Sequence, residues 1–391
     1  MTNRLYYTDA YRAEFTSTII DRSEDGRRVY LDATAFYPTS GGQLHDTGTL
    51  GGLNVVDVVD EGDRIAHVLD GPMPEDANAI AGVVDWSRRH DHMQQHTGQH
   101  LLSAVFEDLF GGKTASVHFG PDYSTLDIDL ESITHKQLVT AEEWANSIVG
   151  KAHAVNVTFE DAAAAVGLRK DSDRPGILRI VSIDGIDRSA CGGTHVRSTA
   201  EIGPIFLRAV EKVRKTSRIE FVCGLRAVRQ ARADYESLTQ IASSLSASLA
   251  DAPSLVGAQA DRLKESESAR KRLARDLAAL LARELYDAAM PNEAGVRTVV
   301  IRDAASIDNL RDLAQAAFAL PRVVVVGTLT DPPSVLFAAS EDSGVDAGRL
   351  LKEQLMAVGG RGGGSPRLAQ GSVPDRATLE SVVTSLIHRH A

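Results

Sequence analysis

Short runs of apolar or alternating residues, broken by glycine pairs, fill the first 84 positions of the chain. Such runs are typical of short β-strands. Glycine pairs such as Gly41-Gly42 and Gly51-Gly52 are typical of the tight turns between strands. The pattern therefore predicts a β-rich unit over residues 1–84. Its strands are predicted at residues 29–32, 53–59 and 65–69.

A longer segment of helical spacing begins near Asp85 and stops at Gly111-Gly112. Beyond it, alternating segments predict strands, and residues 136–150 predict a second helix. Because strands and helices follow one another without a regular strand–helix rhythm, we expect an α+β domain over residues 85–225 rather than a parallel sheet. Its strands are predicted at residues 116–119, 124–130, 155–159, 177–183, 205–210 and 217–222.

The pattern changes after about residue 225. Leucines recur twice at helical spacing within residues 226–290, with Pro253 between the two runs, which predicts a helical hairpin. Residues 291–391 mix strand-like and helix-like segments and predict a C-terminal α/β domain, in which the glycine-rich stretch 359–364 is expected to be a loop. The predicted elements there are strands at 298–301 and 323–326 and a helix at 307–320.

Composition excludes several classes of protein. No apolar run approaches the roughly 18 residues of a membrane span, and the first ten residues lack a secretory signal pattern. With Cys191 and Cys223 as the only cysteines, a disulfide framework is not expected, and a reducing cytoplasm is the simplest compartment. The net charge of -11 excludes a uniformly basic chain, but local basic patches could still bind nucleic acid.

Two short segments carry side chains that bind metals. His96 and His100 are four positions apart in the predicted helix, so their imidazoles lie on one helical face. Cys191 and His195 flank a Gly-Gly-Thr segment that predicts a loop. Each pair alone is weak evidence for a metal site, because such pairs are common on solvated surfaces. Together they form a compact nitrogen and sulfur set that suits zinc, although spacing alone leaves a site without metal open.

Three nearby residues have simpler interpretations. His90 and His92 precede the histidine pair, and we interpret them as surface residues or RNA contacts. Cys223 lies in an alternating run and is expected to be a small core residue.

The metal-binding segments resemble those of a known family. Residues 91–104 resemble the HTxxHLLxA motif of the alanyl-tRNA editing domain, and residues 191–195 match its CGGTH motif. Further matches occur in the same order at residues 36–48, 201–204, 218–222 and 359–370, the last of which resembles the glycine loop of the C-terminal domain of alanyl-tRNA synthetase. The resemblance thus spans essentially the whole chain, and it is to the long form of the free-standing alanyl-tRNA editing proteins, the AlaX group.

The resemblance implies both a fold and an activity. The implied fold is α+β, with a small β-barrel at residues 1–84, a zinc-binding editing domain at 85–225, a helical hairpin linker at 226–290 and a C-terminal α/β domain of the DHHA type at 291–391. The implied activity is hydrolysis of the ester in tRNA(Ala) that carries serine, and also glycine. The implied Zn²⁺ ligands are His96, His100, Cys191 and His195.

Three further residues are candidates for substrate recognition. Thr114 matches a threonine that lies beside the bound serine in the family. Ser116 is a weaker candidate from the same run, and an ordinary strand serine explains it equally well. Gln43 lies in the glycine motif and is expected to shape specificity, with an ordinary β-turn as the simpler alternative.

The expected partner is tRNA(Ala) mischarged with serine or glycine. Arg214, Lys215 and Arg218 lie in a basic segment that could neutralise phosphates, and Arg361 lies in the glycine-rich stretch. The family also implies tRNA binding and homodimerisation by the C-terminal domain, and nucleotide and ATP binding are expected from the synthetases. Because the barrel motif begins so early, we expect no aminoacylation domain and action in trans.

Two alternatives remain open at this point. One is a related zinc hydrolase for another aminoacyl ester, since the editing region of threonyl-tRNA synthetase has a related fold. The other is a tRNA-binding protein whose zinc is structural. The DHH phosphoesterases share the C-terminal domain type, but their aspartate-histidine-histidine motif is absent from the sequence.

Overall fold

The computed structural model describes residues 1–171, 175–302 and 304–389. The chain divides into two compact units, Met1–Gln240 and Ile241–Ala391. No helix in the described part of the chain is long and apolar enough to cross a membrane.

The first unit begins with a closed barrel of antiparallel strands. The strands of this region are β1 Asn3–Arg4, β2 Glu14–Arg22, β3 Arg28–Leu31, β4 Ala33–Thr34, β5 Gly48–Leu50, β6 Leu53–Asp60, β7 Ile65–Leu69 and β8 Ala79–Val84. The barrel order is β2-β3-β7-β6-β5-β8, and β1 pairs separately with β4. Phe36, Leu50 and Ile65 are among the buried side chains that fill its interior. The predicted barrel is therefore confirmed, whereas β2 and β8 were not predicted.

A long buried helix and two small sheets complete the core of this unit. The elements are α1 Trp86–Phe110, β9 Thr114–Phe119, β10 Ser124–Ile128, α2 His135–Gly150, β11 Val155–Asp161, β12 Ile177–Ile183, β13 Asp187–Ala190, β14 Ile205–Val213 and β15 Thr216–Cys223. One sheet has the order β14-β15-β10-β9 and the other β11-β12-β13, all pairs antiparallel. This order confirms the predicted α+β class.

Helix α1 is fixed at both ends and along its length. The Asp85 side chain caps its first turn by accepting a hydrogen bond from the backbone N–H of Arg88, and Gly111 ends it in the left-handed conformation. A fully buried ion pair between Arg89 and Asp46 ties the helix to the barrel. Because α1 is buried from His92 to Gly98, the predicted metal-binding histidines lie in the interior.

The predicted helical segments beyond residue 225 are α3 Leu225–Ser244 and α4 Ala252–Ala288. Pro253 lies in the first turn of α4, where its missing N–H costs no hydrogen bond. The boundary between the two compact units falls within α3. The hairpin arrangement and the domain boundaries at residues 84, 225 and 290 remain predictions.

The second unit contains a mixed sheet with helices. Its further elements are β16 Arg297–Ile301, α5 Ile307–Phe318, β17 Val323–Leu329, β18 Ser334–Ala339, α6 Ala347–Ala357, β19 Arg361–Gly364, β20 Leu368–Ser372 and α7 Arg376–His388. The sheet order is β16-β17-β18-β20-β19, in which β16 and β17 are parallel and the other pairs are antiparallel.

The prediction of a loop at residues 359–364 is wrong for most of that stretch, because Arg361–Gly364 is the edge strand β19. A Cβ atom added at Gly362 would lie 2.5 Å from the carbonyl oxygen of Gln370, and one at Gly364 would lie 2.2 Å from that of Leu368. Gly362 and Gly364 therefore permit close strand pairing, since larger residues do not fit at these two positions.

Candidate metal centre

Three histidines and one cysteine meet in the interior of the first unit. His96 and His100 come from α1, and Cys191 and His195 come from the loop after β13. One ligand atom from each lies within 4.8 Å of all the others. The Sγ atom of Cys191 is 3.4 Å from Nε2 of His96 and 3.3 Å from Nε2 of His195. Ligands of a tetrahedral zinc ion stand about 3.3–3.8 Å apart, given the usual bond lengths, and these two separations fit that range.

Gln43 orients the first histidine. The Nδ1 atom of His96 donates a hydrogen bond of 2.8 Å to Oε1 of Gln43, which leaves Nε2 directed towards Cys191. The same Oε1 accepts from the backbone N–H of Thr194, and Nε2 of Gln43 donates to the Thr194 hydroxyl. Gln43 therefore joins the barrel, the helix and the cysteine loop, a supporting contact that the sequence did not reveal.

Thr97 orients the histidine of the cysteine loop. Its hydroxyl donates to the backbone carbonyl of Met93, so its oxygen is left to accept from Nδ1 of His195 at 3.1 Å. The backbone N–H of Val196 donates to the same oxygen. The threonine of the His-Thr-x-x-His motif thus fixes the partner loop against the helix, with Nε2 of His195 facing the ligand cluster.

Asp187 orients the last histidine. Its carboxylate accepts a 2.7 Å hydrogen bond from Nδ1 of His100 and pairs with the Arg169 guanidinium. Burial disfavours the charged imidazole, but the contacts with Asp187 and Cys191 raise the pKa of His100 to about 10, so a metal ion bound there would displace a proton from this imidazole. Buried Asp187 keeps a pKa below its usual value because His100 and Arg169 stabilise its charge.

The chemistry of Cys191 suits a metal ligand. Burial opposes loss of its proton, yet His96, His195 and His100 hold the pKa of the Cys191 thiol well below its usual value. Burial also lowers the pKa of His195 to about 3, which keeps that imidazole neutral. A thiolate and a neutral imidazole are the forms that bind zinc.

Gly193 of the cysteine loop is required for a steric reason. A Cβ atom at Gly193 would lie 2.1 Å from Cε1 of His96, so no larger residue fits beside that ring. The loop can approach the helix only because this position has no side chain.

A cavity of about 470 Å³ opens onto the cluster. His96 and Cys191 form part of its lining, together with Tyr7, Tyr37 and Arg179. Its size lies within the range of small-molecule sites. Two side chains of the cluster are therefore reachable from a space that could hold a ligand.

The structure separates the two polar residues predicted on β9. The Thr114 hydroxyl donates to the hydroxyl of Ser103, which lies three residues after His100 on α1. The Ser116 hydroxyl donates to Asp127, which forms an ion pair with Arg218. Thr114 is therefore tied to the helix that carries two ligands, whereas Ser116 belongs to a separate polar group on the sheet.

The structure corrects the interpretation of His92 and confirms that of Cys223. His92 is not a surface residue, because only 6% of it is exposed and burial lowers the pKa of its imidazole to about 4. It lies one helical turn before His96, on the same face of α1. His90 is partly exposed and packs near Trp86. Cys223 is fully buried, as predicted.

The four predicted RNA contacts lie in different surroundings. Arg214 and Lys215 are exposed at the turn between β14 and β15, and Arg214 has a positive φ of 58°. Arg218 is held by both carboxylate oxygens of Asp127. Arg361 is exposed on β19 in the second unit.

Comparisons with known proteins show the family of this chain. Residues 178–220 match the family described as the threonyl and alanyl tRNA synthetase second additional domain. The alanyl-tRNA editing protein AlaX-L of Pyrococcus horikoshii is 32% identical, and the match covers 95% of each chain. The alanine–tRNA ligase of Pyrococcus abyssi is 29% identical over 99% of this chain but only 43% of its own, so this chain spans less than half of that relative.

One solved structure is also similar. The C-Ala domain of Aquifex aeolicus alanyl-tRNA synthetase matches 24% of this chain and 89% of its own, with 22% identity and a TM-score of 0.22. A score at this level does not define a fold. These comparisons do not support the expected nucleotide or ATP binding. From the long match to AlaX-L, the chain belongs to the alanyl-tRNA editing protein family and is an aminoacyl-tRNA deacylase.

Proposed function

We propose that the protein is a trans-editing hydrolase that uses zinc to deacylate mischarged tRNA(Ala), chiefly Ser-tRNA(Ala) and also Gly-tRNA(Ala). The observation that carries the proposal is the cluster of three histidines and one cysteine, of which His96 and Cys191 line a cavity. The P. horikoshii editing protein, matched over 95% of its own length, supports action on tRNA in trans.

Zinc is the ion that this ligand set favours, because thiolate and imidazole together suit a borderline-soft cation. Its ligands would be His96, His100, Cys191 and His195. When bound, zinc supplies Lewis-acid chemistry, which includes polarising a carbonyl, lowering the pKa of water and orienting a substrate. We place the protein in the reducing cytoplasm, where a lone thiolate ligand stays reduced.

The chain's own residues prepare the site before any substrate arrives. Gln43, Thr97 and Asp187 each hold one imidazole through its Nδ1 atom, so the three rings are oriented by the fold. Such partners raise the affinity and fix the geometry of a metal site. The deacylase would thereby lose little free energy in ordering its ligands.

Thr114 is our candidate for distinguishing serine from alanine. Its hydroxyl is hydrogen-bonded to that of Ser103 and keeps the capacity to accept a hydrogen bond from a ligand. A serine hydroxyl can donate to it, whereas the methyl group of alanine cannot. A site that hydrogen-bonds a substrate hydroxyl discriminates strongly against the analogue that lacks it.

We propose that exposed basic residues bind the tRNA backbone. Arg214 and Lys215 at the β14–β15 turn are the strongest candidates, since both are exposed. Arg218 would have to share its charge with Asp127, and Arg361 would act from the second unit. Homodimerisation through the C-terminal domain is part of the same proposal.

The test measures deacylation of Ser-tRNA(Ala), Gly-tRNA(Ala) and Ala-tRNA(Ala) by the full chain and by Thr114→Val. We expect rapid loss of serine from the wild type with alanine spared. In Thr114→Val the preference for serine over glycine should fall by about tenfold or more. No cleavage of any of the three esters by zinc-loaded protein would refute the proposal.

A tRNA-binding protein with a structural zinc is the second candidate, because four protein ligands already complete a tetrahedral shell. Cys191→Ala separates the two. A structural site predicts loss of folding. The hydrolase predicts loss of turnover, while most tRNA affinity and most of the free energy of unfolding remain.

A further inference from the structure

The cavity beside the cluster is also lined by aromatic and basic side chains. Its walls bring Tyr7 and Tyr37 of the barrel region beside Arg179 of β12, next to the loop that carries Cys191. An aminoacyl ester joins the amino acid to the ribose of the terminal nucleotide of tRNA. If the ester carbonyl lies at the ligand cluster, that nucleotide must occupy the adjoining space.

Arg179 is a buried cation that forms no ion pair with a carboxylate among the residues that the structure describes; the Cys191 thiol and the Tyr7 ring are the groups that face its charge. Only 9% of it is exposed. Its Nε atom donates to the carbonyl of Tyr7 and its Nη1 atom to the carbonyl of Cys191, and Nη2 has no partner in the described chain. Buried Arg89, by contrast, is neutralised by Asp46. A buried guanidinium N–H group without a partner is costly unless a ligand accepts its hydrogen bond.

An exposed aromatic ring lies beside this cation. Phe159 on β11 is the direct register partner of Arg179 on β12, so the two side chains extend from the same face of the sheet. Phe159 is 49% exposed and lines the cavity. Proteins bind single-stranded nucleotides with this combination, in which an aromatic ring stacks on a base and a cation binds the phosphate.

We propose that Arg179 and Phe159 form a subsite for the terminal nucleotide of the substrate tRNA. In this subsite Arg179 binds the phosphodiester 5′ of the terminal ribose, and Phe159 stacks on the base. The subsite rests on the proposed function for its place in the reaction, but it can be tested without turnover.

The test measures binding of adenosine 5′-phosphate and of adenosine to the full chain by calorimetry. Wild-type protein should bind the phosphorylated compound about 10- to 100-fold more tightly. This is the gain in affinity expected from hydrogen bonds to a charged group. Arg179→Gln should remove most of that preference, and Arg179→Lys should retain part of it. Phe159→Ala should weaken binding of both compounds by about tenfold and leave their ratio unchanged.

Arg4→Gln is the matched control. Arg4 lines the same cavity, but its charge is already paired with Asp60. The preference for the phosphorylated compound should therefore survive this change. Bound zinc and the urea midpoint are measured for each variant, since Arg179 also holds the carbonyl of the metal ligand Cys191.

Three results would overturn the subsite. The first is equal binding of both compounds by the wild-type protein. The second is loss of the preference in Arg4→Gln as complete as in Arg179→Gln. The third is that Arg179→Gln weakens binding of both compounds equally and loses zinc, which would make Arg179 a support for the Cys191 loop. A protein that cleaves no ester but keeps an Arg179-dependent phosphate preference would refute the proposed function and leave the subsite standing.

Discussion

Replacing Gln43 with methionine tests whether this residue orients the metal ligand His96 or contacts the substrate. Methionine keeps the size of the side chain but removes every hydrogen bond. Gln43 is 1% exposed, so its loss leaves the His96 Nδ1–H and two polar groups of Thr194 without partners in the interior. Each such group costs about 1–3 kcal/mol when buried and unpaired.

The expected effect on metal binding follows from the His96 contact. Removing the partner of a metal-binding imidazole weakens metal affinity by about 10–100-fold. We therefore expect Gln43→Met to bind zinc that much more weakly in a competition titration with a chelator of known affinity. Deacylation should fall at limiting zinc and largely recover at saturating zinc.

Gln43→Glu is the control, because glutamate retains an oxygen that accepts from His96 and from the backbone of Thr194. It should keep near wild-type zinc affinity. The reasoning fails if Gln43→Met binds zinc like the wild type yet changes the preference among the aminoacyl groups. Gln43 would then act on the substrate and not through His96.

Three further changes probe how the fold supports the site. Arg89→Met leaves Asp46 buried without its partner, so the free energy of unfolding should fall by about 3–5 kcal/mol in urea titrations; a loss below about 1 kcal/mol would contradict this. Burial lowers the pKa of His67 to about 4, so the unfolded chain takes up its proton first as pH falls. About 3 kcal/mol of stability should be lost between pH 6.5 and 4, and His67→Gln should lose correspondingly less over that range. Gly98→Ala places a Cβ 2.4 Å from Sγ of Cys223 and should cost about 1–3 kcal/mol, most of which Cys223→Ala should restore if that contact is the cause.

The sequence predicted the cluster of three histidines and one cysteine because the signal is local. His96 and His100 are one helical turn apart, and Cys191 and His195 lie in one short loop. The residues that orient them could not be found in this way. Asp187 is 87 positions from His100, and Gln43 is 53 positions from His96, so only the folded chain brings them together.

Two errors about the fold have physical reasons. Strand β2 was not predicted because Ser17, a polar residue, points inward and hydrogen-bonds Asp32, which hides the apolar alternation. Strand β19 was predicted as a loop because glycine marks flexible segments and close strand pairing alike. Composition cannot distinguish a flexible loop from a closely paired strand. The structure can, because a Cβ atom added at Gly362 would lie only 2.5 Å from the carbonyl oxygen of Gln370.

The burial of His92 could not be predicted from the sequence of α1. It lies on the same face of α1 as His96 and is buried, although histidines at this spacing are common on surfaces. Its burial follows from the elements packed around α1, which the sequence of the helix alone does not contain.

The most direct test of the account is to reconstitute metal-stripped protein with zinc while measuring deacylation of Ser-tRNA(Ala). The account predicts that activity rises in proportion to bound zinc and stops rising at one ion per chain. Cys191→Ala should neither hold that ion tightly nor recover activity. Full deacylation by protein shown to contain no metal would contradict the central claim that this cluster is the metal centre of the hydrolase.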